Sequence, residues 1–353
     1  MQTTRVRTRA TVVVPTFNER DNLEPLVRRI CAALPDVEIV VVDDASRDGT
    51  ADRARELAQD FPVRVIERFD DRGLSTAVMR GISEAPTDLC VVMDADLSHP
   101  PEAIPALVRA VEEGADVAVG SRYVPGGDID EWPLFRRLAS RAGTLLARPL
   151  TAVRDPMAGF FCLRRSLLGG VELKPRGFKI LLEILARTGI RRAVEVPIRF
   201  EDRAAGQSKF SGRERKEFLK QVATLYRDLN AWPWRVLKFL AAGASGYLLH
   251  MAVLASLVEF LGAAPMRGAV AAFAVAMTSN YVVNRLWTFR ARATPVARSY
   301  LAYAVGAVGG LLVQLVVMQA LAWTHYAIAA SLGIVAGTLV TFLSSQLWAF
   351  AKR

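Results

Sequence analysis

Apolar and polar positions fall along this chain in two regimes. Between residues 11 and 200, short apolar runs alternate with stretches of helical period. The runs are TVVVP (11–15), VEIVVVDD (37–44), PVRVIER (62–68), LCVVMDAD (89–96) and ADVAVGSRY (115–123). DNLEPLVRRICAAL (21–34) spaces its apolar residues as one face of a helix requires. Strands apolar along their whole length, separated by helices, predict a parallel sheet covered on both faces. Ligands of such sheets lie beyond the carboxyl ends of the strands. Asp43-Asp44 and the pair Asp94/Asp96 both stand at such ends, so a shared cleft is expected there.

From about residue 235 the pattern changes. Four long apolar segments follow, at about 236–258, 268–289, 300–323 and 326–350. A spanning helix needs roughly 20 mostly apolar residues, so four spans are expected. The first and third hold clustered small residues, Gly243, Ser245, Gly246 and Gly306, Gly309, Gly310, which allow close helix approach in lipid. The segments also repeat. VNRLWTFRAR (283–292) resembles SSQLWAFAKR (344–353) at a shift of 61 residues, and KFLAAGASGYLL (238–249) loosely resembles SYLAYAVGAVGGLL (299–312). Two copies of a helical hairpin are expected, with Trp287 and Trp348 as matching interface anchors. Before them, GRERKEFLKQVATLYRDLNAWPWRVLK (212–238) carries Phe218, Leu219, Val222, Leu225, Tyr226 and Leu229 near helical spacing. It reads as an amphipathic helix on the membrane surface; the alternative is an ordinary amphipathic helix of the soluble region. The expected organisation is a soluble domain at 1–211, an interfacial helix and linker at 212–234, and a membrane domain at 235–353.

Charge follows the same division. Of the net charge of +10, +8 lies from Arg235 onward, where nine Lys/Arg face one acid, Glu259. The cations flank apolar segments, which is not a nucleic-acid footprint, and no nucleic-acid partner is expected. Arg285, Arg290, Arg292 and Arg298 lie at the loop between the second and third segments, and Lys352 and Arg353 close the chain. The opposite loops offer Arg267 and His325. The positive-inside rule then puts both termini, the middle loop and the soluble domain in the cytoplasm. MQTTRVRTRA (1–10) has no apolar stretch of signal-peptide type. Cys31, Cys90 and Cys162 sit in separate runs without CxxC spacing, which suits buried thiols in a reducing compartment.

The acidic pairs carry the candidate chemistry. In extended chain, alternate residues point the same way, so Asp94 and Asp96 can face one cation. Magnesium-type cations take oxygen ligands, commonly one or two carboxylates plus substrate phosphates. A divalent cation, Mg2+ or Mn2+, would neutralise a departing nucleoside diphosphate. In PTFNERDNL (15–23), Asn18 can cap a helix, or Pro15, Phe17 and Glu19 can border a nucleobase. In DDASRDGT (43–50), Ser46 and Asp48 are candidate caps, and Asp44 is the choice for a ribose or base contact. GLSTAVMRG (73–81) opens a helix whose N–H groups attract phosphate. GSRYVPGG (120–127) and WPLFRRLASR (132–141) add Arg122, Arg136 and Arg137, cations of a kind that is mostly just solvated, while Arg203 and Lys209 of RFEDRAAGQSKF (199–210), close to the bilayer, can bind the phosphate head of a lipid. Glu183 reads as structural, and Asp128 and Asp130 as weak candidates.

PTFNE, DDASRDGT, RGLSTAV, MDADLSHPPE, GSRY, DPMAGFF and SKF together resemble the polyprenol-phosphate (dolichol-phosphate) mannosyltransferases of glycosyltransferase family 2, over about residues 8–212. The tail resembles the GtrA-like membrane domain. The resemblance implies an α/β GT-A fold, Rossmann-like with a mostly parallel sheet, joined to an all-α transmembrane domain of four helices. It implies inverting transfer of mannose from GDP-mannose to a polyprenyl (dolichyl-type) phosphate. It places Pro15, Phe17, Glu19, Asp44 and Arg72 in the nucleotide-sugar pocket, and Asp94, Asp96 and Ser98 at the metal and diphosphate. Arg122, Arg136 and Ser140 match residues that hold the acceptor phosphate, and Arg203 a basic loop residue that closes over the substrates. The rivals are a UDP-glucose transferase acting on the same acceptor and, from another class, a lipid-linked-sugar flippase or interaction protein beside a degenerate enzyme domain. A processive synthase is disfavoured, because no QxxRW motif occurs.

Overall fold

The computed structural model describes residues 9–129, 134–175, 179–201, 212–291, 293–321, 323–324 and 326–351. The chain forms two compact units that divide between Leu229 and Asn230.

The first unit runs β1 (Ala10–Thr16), α1 (Arg20–Ala33), β2 (Val37–Asp43), α2 (Thr50–Leu57), β3 (Val63–Glu67), α3 (Leu74–Glu84), β4 (Leu89–Val92), α4 (Ile104–Glu112), β5 (Val117–Ser121), β6 (Asp128–Ile129), α5 (Leu134–Ala147), β7 (Phe161–Arg164), α6 (Ile180–Arg187), β8 (Ala193–Pro197), β9 (Arg199–Phe200) and α7 (Gly212–Asp228). The main sheet is ordered β3-β2-β1-β4-β7-β5-β8. All its pairings are parallel except those of β7, which runs antiparallel between β4 and β5. The inner strands β1, β2, β4, β5 and β7 are mostly apolar because each feeds two cores. Val12, Val14, Ile39 and Val41 pack with Leu23, Leu26 and Leu107, while Val13, Val40 and Val42 pack with Val78, Ile82 and Ile184. β6 and β9 pair separately.

α7 packs within this unit. Val222 and Leu225 lie in a buried cluster with Ala147 of α5 and Leu182 of α6. Arg187 donates from Nη2 to Asp228 Oδ2 at 2.9 Å, and Gln221 from Nε2 to the Lys179 carbonyl at 3.2 Å. This part of its apolar face is buried in protein, which is the ordinary-helix alternative; Leu219 stays exposed.

The second unit holds α8 (Trp232–Glu259), α9 (Pro265–Val283), α10 (Val296–Ala320) and α11 (Tyr326–Ser344). Among the described residues, Trp232–Glu259, Val296–Ala320 and Leu332–Ala349 are long and apolar enough to cross a membrane. α9 covers most of the second expected segment with 19 residues. The repeat in the sequence is a repeat in space. α9 and α11 each end in one π-turn, Asn284–Thr288 and Ser345–Ala349, closed by Phe289 N–H to the Asn284 carbonyl and Phe350 N–H to the Ser345 carbonyl. Phe289 and Phe350, equivalent under the 61-residue shift, stack on each other at 4.8 Å. The contact of Phe239 with Phe342 (5.4 Å) maps onto that of Tyr300 with Tyr281 (5.0 Å), and Phe289 with Phe342 (6.0 Å) onto Phe350 with Tyr281 (5.9 Å). Gly306 and Gly310 bring α10 against Ser344, Thr341 and Gly337, while Gly243 and Gly309 face nothing within 4 Å.

Candidate active site

The carboxyl ends of β2, β1 and β4 lie side by side, because β1 pairs with both neighbours. The two aspartates ending β2 have different tasks. Asp43 is fully buried and accepts hydrogen bonds from Thr16 Oγ1 (2.9 Å), Ser46 N–H (2.8 Å) and Ser46 Oγ (2.6 Å). It ties the β1 and β2 ends together. Asp44 is also buried; its Oδ2 accepts the Gly73 N–H at 2.8 Å, and Arg68 Nη1 stands 3.3 Å from Oδ1. Arg68 also lines a cavity of about 570 Å3 between the end of β3 and α3, with Phe69, Asp71 and Thr76.

The loops around Asp44 are fixed locally. Asn18 does not cap α1; at φ 58° it accepts the Arg47 N–H through Oδ1 at 3.1 Å. Asp48 is not at an N-cap position but accepts the first N–H of each helix, from Thr50 at 3.0 Å and from Arg20 at 3.2 Å. Burial raises the pKa of its carboxylate most strongly, but the hydrogen bond from the Thr50 hydroxyl, with those from the N–H groups, holds it below the usual range. Pro15 is buried at the end of β1, Phe17 and Arg72 are exposed, and Glu19 accepts from Asn22 Nδ2 at 2.7 Å.

β4 stops at Val92, and the acidic turn follows. The Asp94 N–H donates to His99 Nδ1 at 3.2 Å. His99 is buried, stacked on Phe160 at 5.3 Å and edge-on to Phe200 at 5.5 Å. Burial pushes its pKa down, and the nearby Asp94 and Asp96 charges do not reverse this. With Nδ1 accepting, the ring proton is assigned to Nε2. Asp96 Oδ1 accepts both the Ser98 N–H (3.2 Å) and the Ser98 hydroxyl (2.5 Å). Ser98 therefore holds a carboxylate in place.

On the other side, Arg122 follows β5. Its backbone N–H, Nε and Nη2 all donate to the fully buried Asp155, at 3.1, 2.7 and 2.8 Å. Burial works against the Arg122 charge, yet the Asp155 hydrogen bonds prevail and its pKa is raised. The guanidinium also lies 5.3 Å from the Phe200 ring. Asp155 is held in turn, its N–H donating to Glu195 Oε1 at 3.0 Å. Ser140 on α5 shares a 2.7 Å hydrogen bond with the Tyr123 hydroxyl. Arg136, one turn earlier on α5, is half-buried beside exposed Leu134, Phe135 and Leu138. Arg203, Lys209 and Asp130 lie outside the described residues. The Glu201 N–H donates to the Ser98 carbonyl at 3.2 Å, which ties the chain just before Arg203 to the Asp96 turn. Glu183 is structural, accepting from Arg187 Nε and the Lys174 N–H, and Asp128 is exposed on β6.

Sequence reasoning missed Asp155, Gly159 and His99 as parts of the site. Their signal lay in DPMAGFF and SHPPE, where a carboxylate, a glycine and an imidazole flank apolar runs. Among the described residues no three His, Cys, Asp or Glu side chains group to enclose a metal. Asp94 and Asp96 instead offer two carboxylates, and the absence of a Cβ at Gly159 lets the Asp94 carboxylate stand directly against that residue. Such a donor set suits a hard cation that takes its remaining ligands from phosphates and water.

Comparisons with known proteins give the family. The family model for glycosyl transferase family 2 matches residues 11–170, and that for the GtrA/DPMS transmembrane domain matches residues 238–350. A dolichol-phosphate mannosyltransferase of Pyrococcus furiosus is 41% identical over 339 residues, covering 93% of this chain and 95% of that protein. The dolichol-phosphate mannosyltransferase of Saccharomyces cerevisiae is 41% identical over 61% of this chain and 86% of its own. A polyprenol monophosphomannose synthase of Mycolicibacterium smegmatis is 41% identical over 63% of this chain and 88% of its own.

Proposed function

The chain belongs to glycosyl transferase family 2, among the dolichol-phosphate mannosyltransferases that carry a GtrA-like membrane domain, and from that premise we propose that it moves mannose from GDP-mannose to the phosphate of a polyprenyl phosphate, with inversion, at the cytoplasmic face of a membrane. The observation that carries this reading is the pairing of two unlike ends of one sheet. An acidic turn follows β4, and a buried, carboxylate-anchored guanidinium follows β5.

Asp94 and Asp96 would hold a divalent cation, Mg2+ or Mn2+, together with the donor diphosphate. The cation would supply charge neutralisation for the departing GDP. Pro15, Phe17, Glu19, Asp44 and Arg72 border the nucleoside. Asp155 takes the Nε and Nη2 donors of Arg122 and so fixes the plane of the guanidinium, which a phosphate would meet from its Nη1 side. Arg122, with Arg136, Ser140 and Arg203, holds the acceptor phosphate in line with the anomeric carbon. A phosphate monoester is largely dianionic near neutral pH, its second pKa being about 6, so its oxygen attacks without a protein base. The exposed Leu134, Phe135, Leu138 and Leu145 of α5 suit an acceptor that arrives on a lipid.

The second unit spans the bilayer four times, with both termini and the Arg290–Arg298 loop on the cytoplasmic side. Its described residues contain one carboxylate, Glu259, which suits an anchor that concentrates the lipid acceptor better than a polar transport path. Calorimetric titration of GDP and UDP with Mn2+ tests the donor site. Tight binding of GDP over UDP, lost in Asp96→Ala, is expected; equal binding of both, or binding unchanged in Asp96→Ala, overturns the assignment.

A further inference from the structure

The loop Asp155–Phe160 is held along its whole length. Asp155 is tied to Arg122 and Glu195, Lys179 Nζ donates to the Met157 carbonyl at 3.1 Å, and the Phe160 carbonyl accepts the Gly120 N–H at 2.9 Å. Phe160 is fully buried and stacked on His99, whose Nδ1 accepts the Asp94 N–H. Gly159 sits in this rigid loop, directly against the Asp94 carboxylate. A Cβ there would lie 2.7 Å from Asp94 Oδ2 and 3.2 Å from Oδ1. Real Cβ atoms do not come as close as 2.7 Å to a neighbour, so something must move. The loop cannot, because its neighbours are anchored; the carboxylate can, because it is the end of a half-buried side chain, 34% exposed.

We propose that Gly159 is a positioning residue for the donor site: its missing side chain sets where the Asp94 carboxylate stands, and any side chain there displaces that carboxylate from the cation and diphosphate. His99 fixes the backbone of Asp94 from one side, and Gly159 fixes its carboxylate from the other. Because Asp155 of the same loop holds Arg122, one loop spaces the donor carboxylate from the acceptor arginine. The inference rests on the reading of Asp94 as a cation and diphosphate ligand.

The test is a double-mutant cycle read by Mn2+ binding in the presence of GDP, from the free-ion electron paramagnetic resonance signal, with thermal unfolding alongside. Gly159→Ala is expected to weaken Mn2+ binding about tenfold, the lower end for displaced support of a metal ligand, with little change in unfolding temperature. In an Asp94→Ala background the atoms that the methyl group would strike are gone. There Gly159→Ala is expected to cause no further loss, since coupled residues are not additive. Native Mn2+ affinity in Gly159→Ala, or the same loss in both backgrounds, overturns the inference. So does a Gly159→Ala chain that unfolds in both backgrounds, because the clash would then lie elsewhere than at Asp94. Native Mn2+ affinity in Asp94→Ala itself would instead overturn the underlying site reading.

Discussion

Asp96 and Arg122 are held in opposite ways, and their variants should fail differently. Asp96 accepts two hydrogen bonds from its near neighbour Ser98, a support that is local and does not brace the core. Asp96→Ala should keep the fold and membrane association and lose transfer by at least about 100-fold, the scale set by removing one preorganised charge from a transition state. Wild-type turnover would contradict the metal-site assignment. Arg122 is locked to a fully buried carboxylate. Arg122→Ala strips the buried Asp155 of its counter-charge and leaves it the backbone N–H of residue 122, at a cost of about 3–5 kcal/mol, so lost activity alone would say little. Arg122→Lys keeps the charge but cannot make the bidentate fork. It should raise the KM for lipid phosphate while GDP binding stays near wild type; parallel loss of both would count against the acceptor role. The cysteines stand apart from this chemistry. Burial pushes Cys90 up to about 12 and raises Cys31 and Cys162 as well, so all three are thiols at neutral pH.

At the scale of elements, close contacts decide what can change. A side chain at Gly310 would strike Thr341 and the Gly337 carbonyl, whereas Gly309 faces open space. Gly310→Leu should lower the unfolding temperature in detergent, by the equivalent of roughly 1–3 kcal/mol of overpacking, and Gly309→Leu should not. Equal effects would show that α10 does not approach α11 there. α7 is fastened by charge at its end: the Arg187 hydrogen bond holds the Asp228 carboxyl below its usual range. A depressed carboxylate stabilises the fold above its ordinary pKa of about 3.9 and loses that contribution as pH falls through the lower, folded value. The stability gap between wild type and Asp228→Asn should therefore be constant near neutrality and close below about pH 4. A gap independent of pH would remove the ion pair from the account. The strands β1 to β5 and helix α1 were legible because uniform apolar runs and a 3.6-residue period are strong local signals. The antiparallel β7 was not, because its direction depends on the long chain segment before it. α7 showed its amphipathic period, but period alone does not say whether Val222 and Leu225 meet lipid or, as found, Ala147 and Leu182.

For the whole molecule, the chain folds as two compact units, and the sequence showed each through a different signal. The membrane unit was visible as a repeat at 61 residues, and its stacked Phe289 and Phe350 show the two copies meeting at their π-turns. The acidic ends of β2 and β4 were visible as DD and DAD. That Asp43 ties β2 to Thr16 and Asp44 is pinned by Gly73 was not, because those two partners lie 27 and 29 residues away in sequence. Asp155 was hidden for the same reason, 33 residues from the arginine it holds.

The most direct test is transfer itself. Purified protein in lipid would be incubated with polyprenyl phosphate, Mg2+ or Mn2+, and radiolabelled GDP-mannose or UDP-glucose, with label counted in the organic phase with and without EDTA. EDTA-sensitive label from GDP-mannose alone is the predicted result. Label from UDP-glucose alone would keep the mechanism and contradict the sugar, and no label from either donor in folded protein would contradict the account.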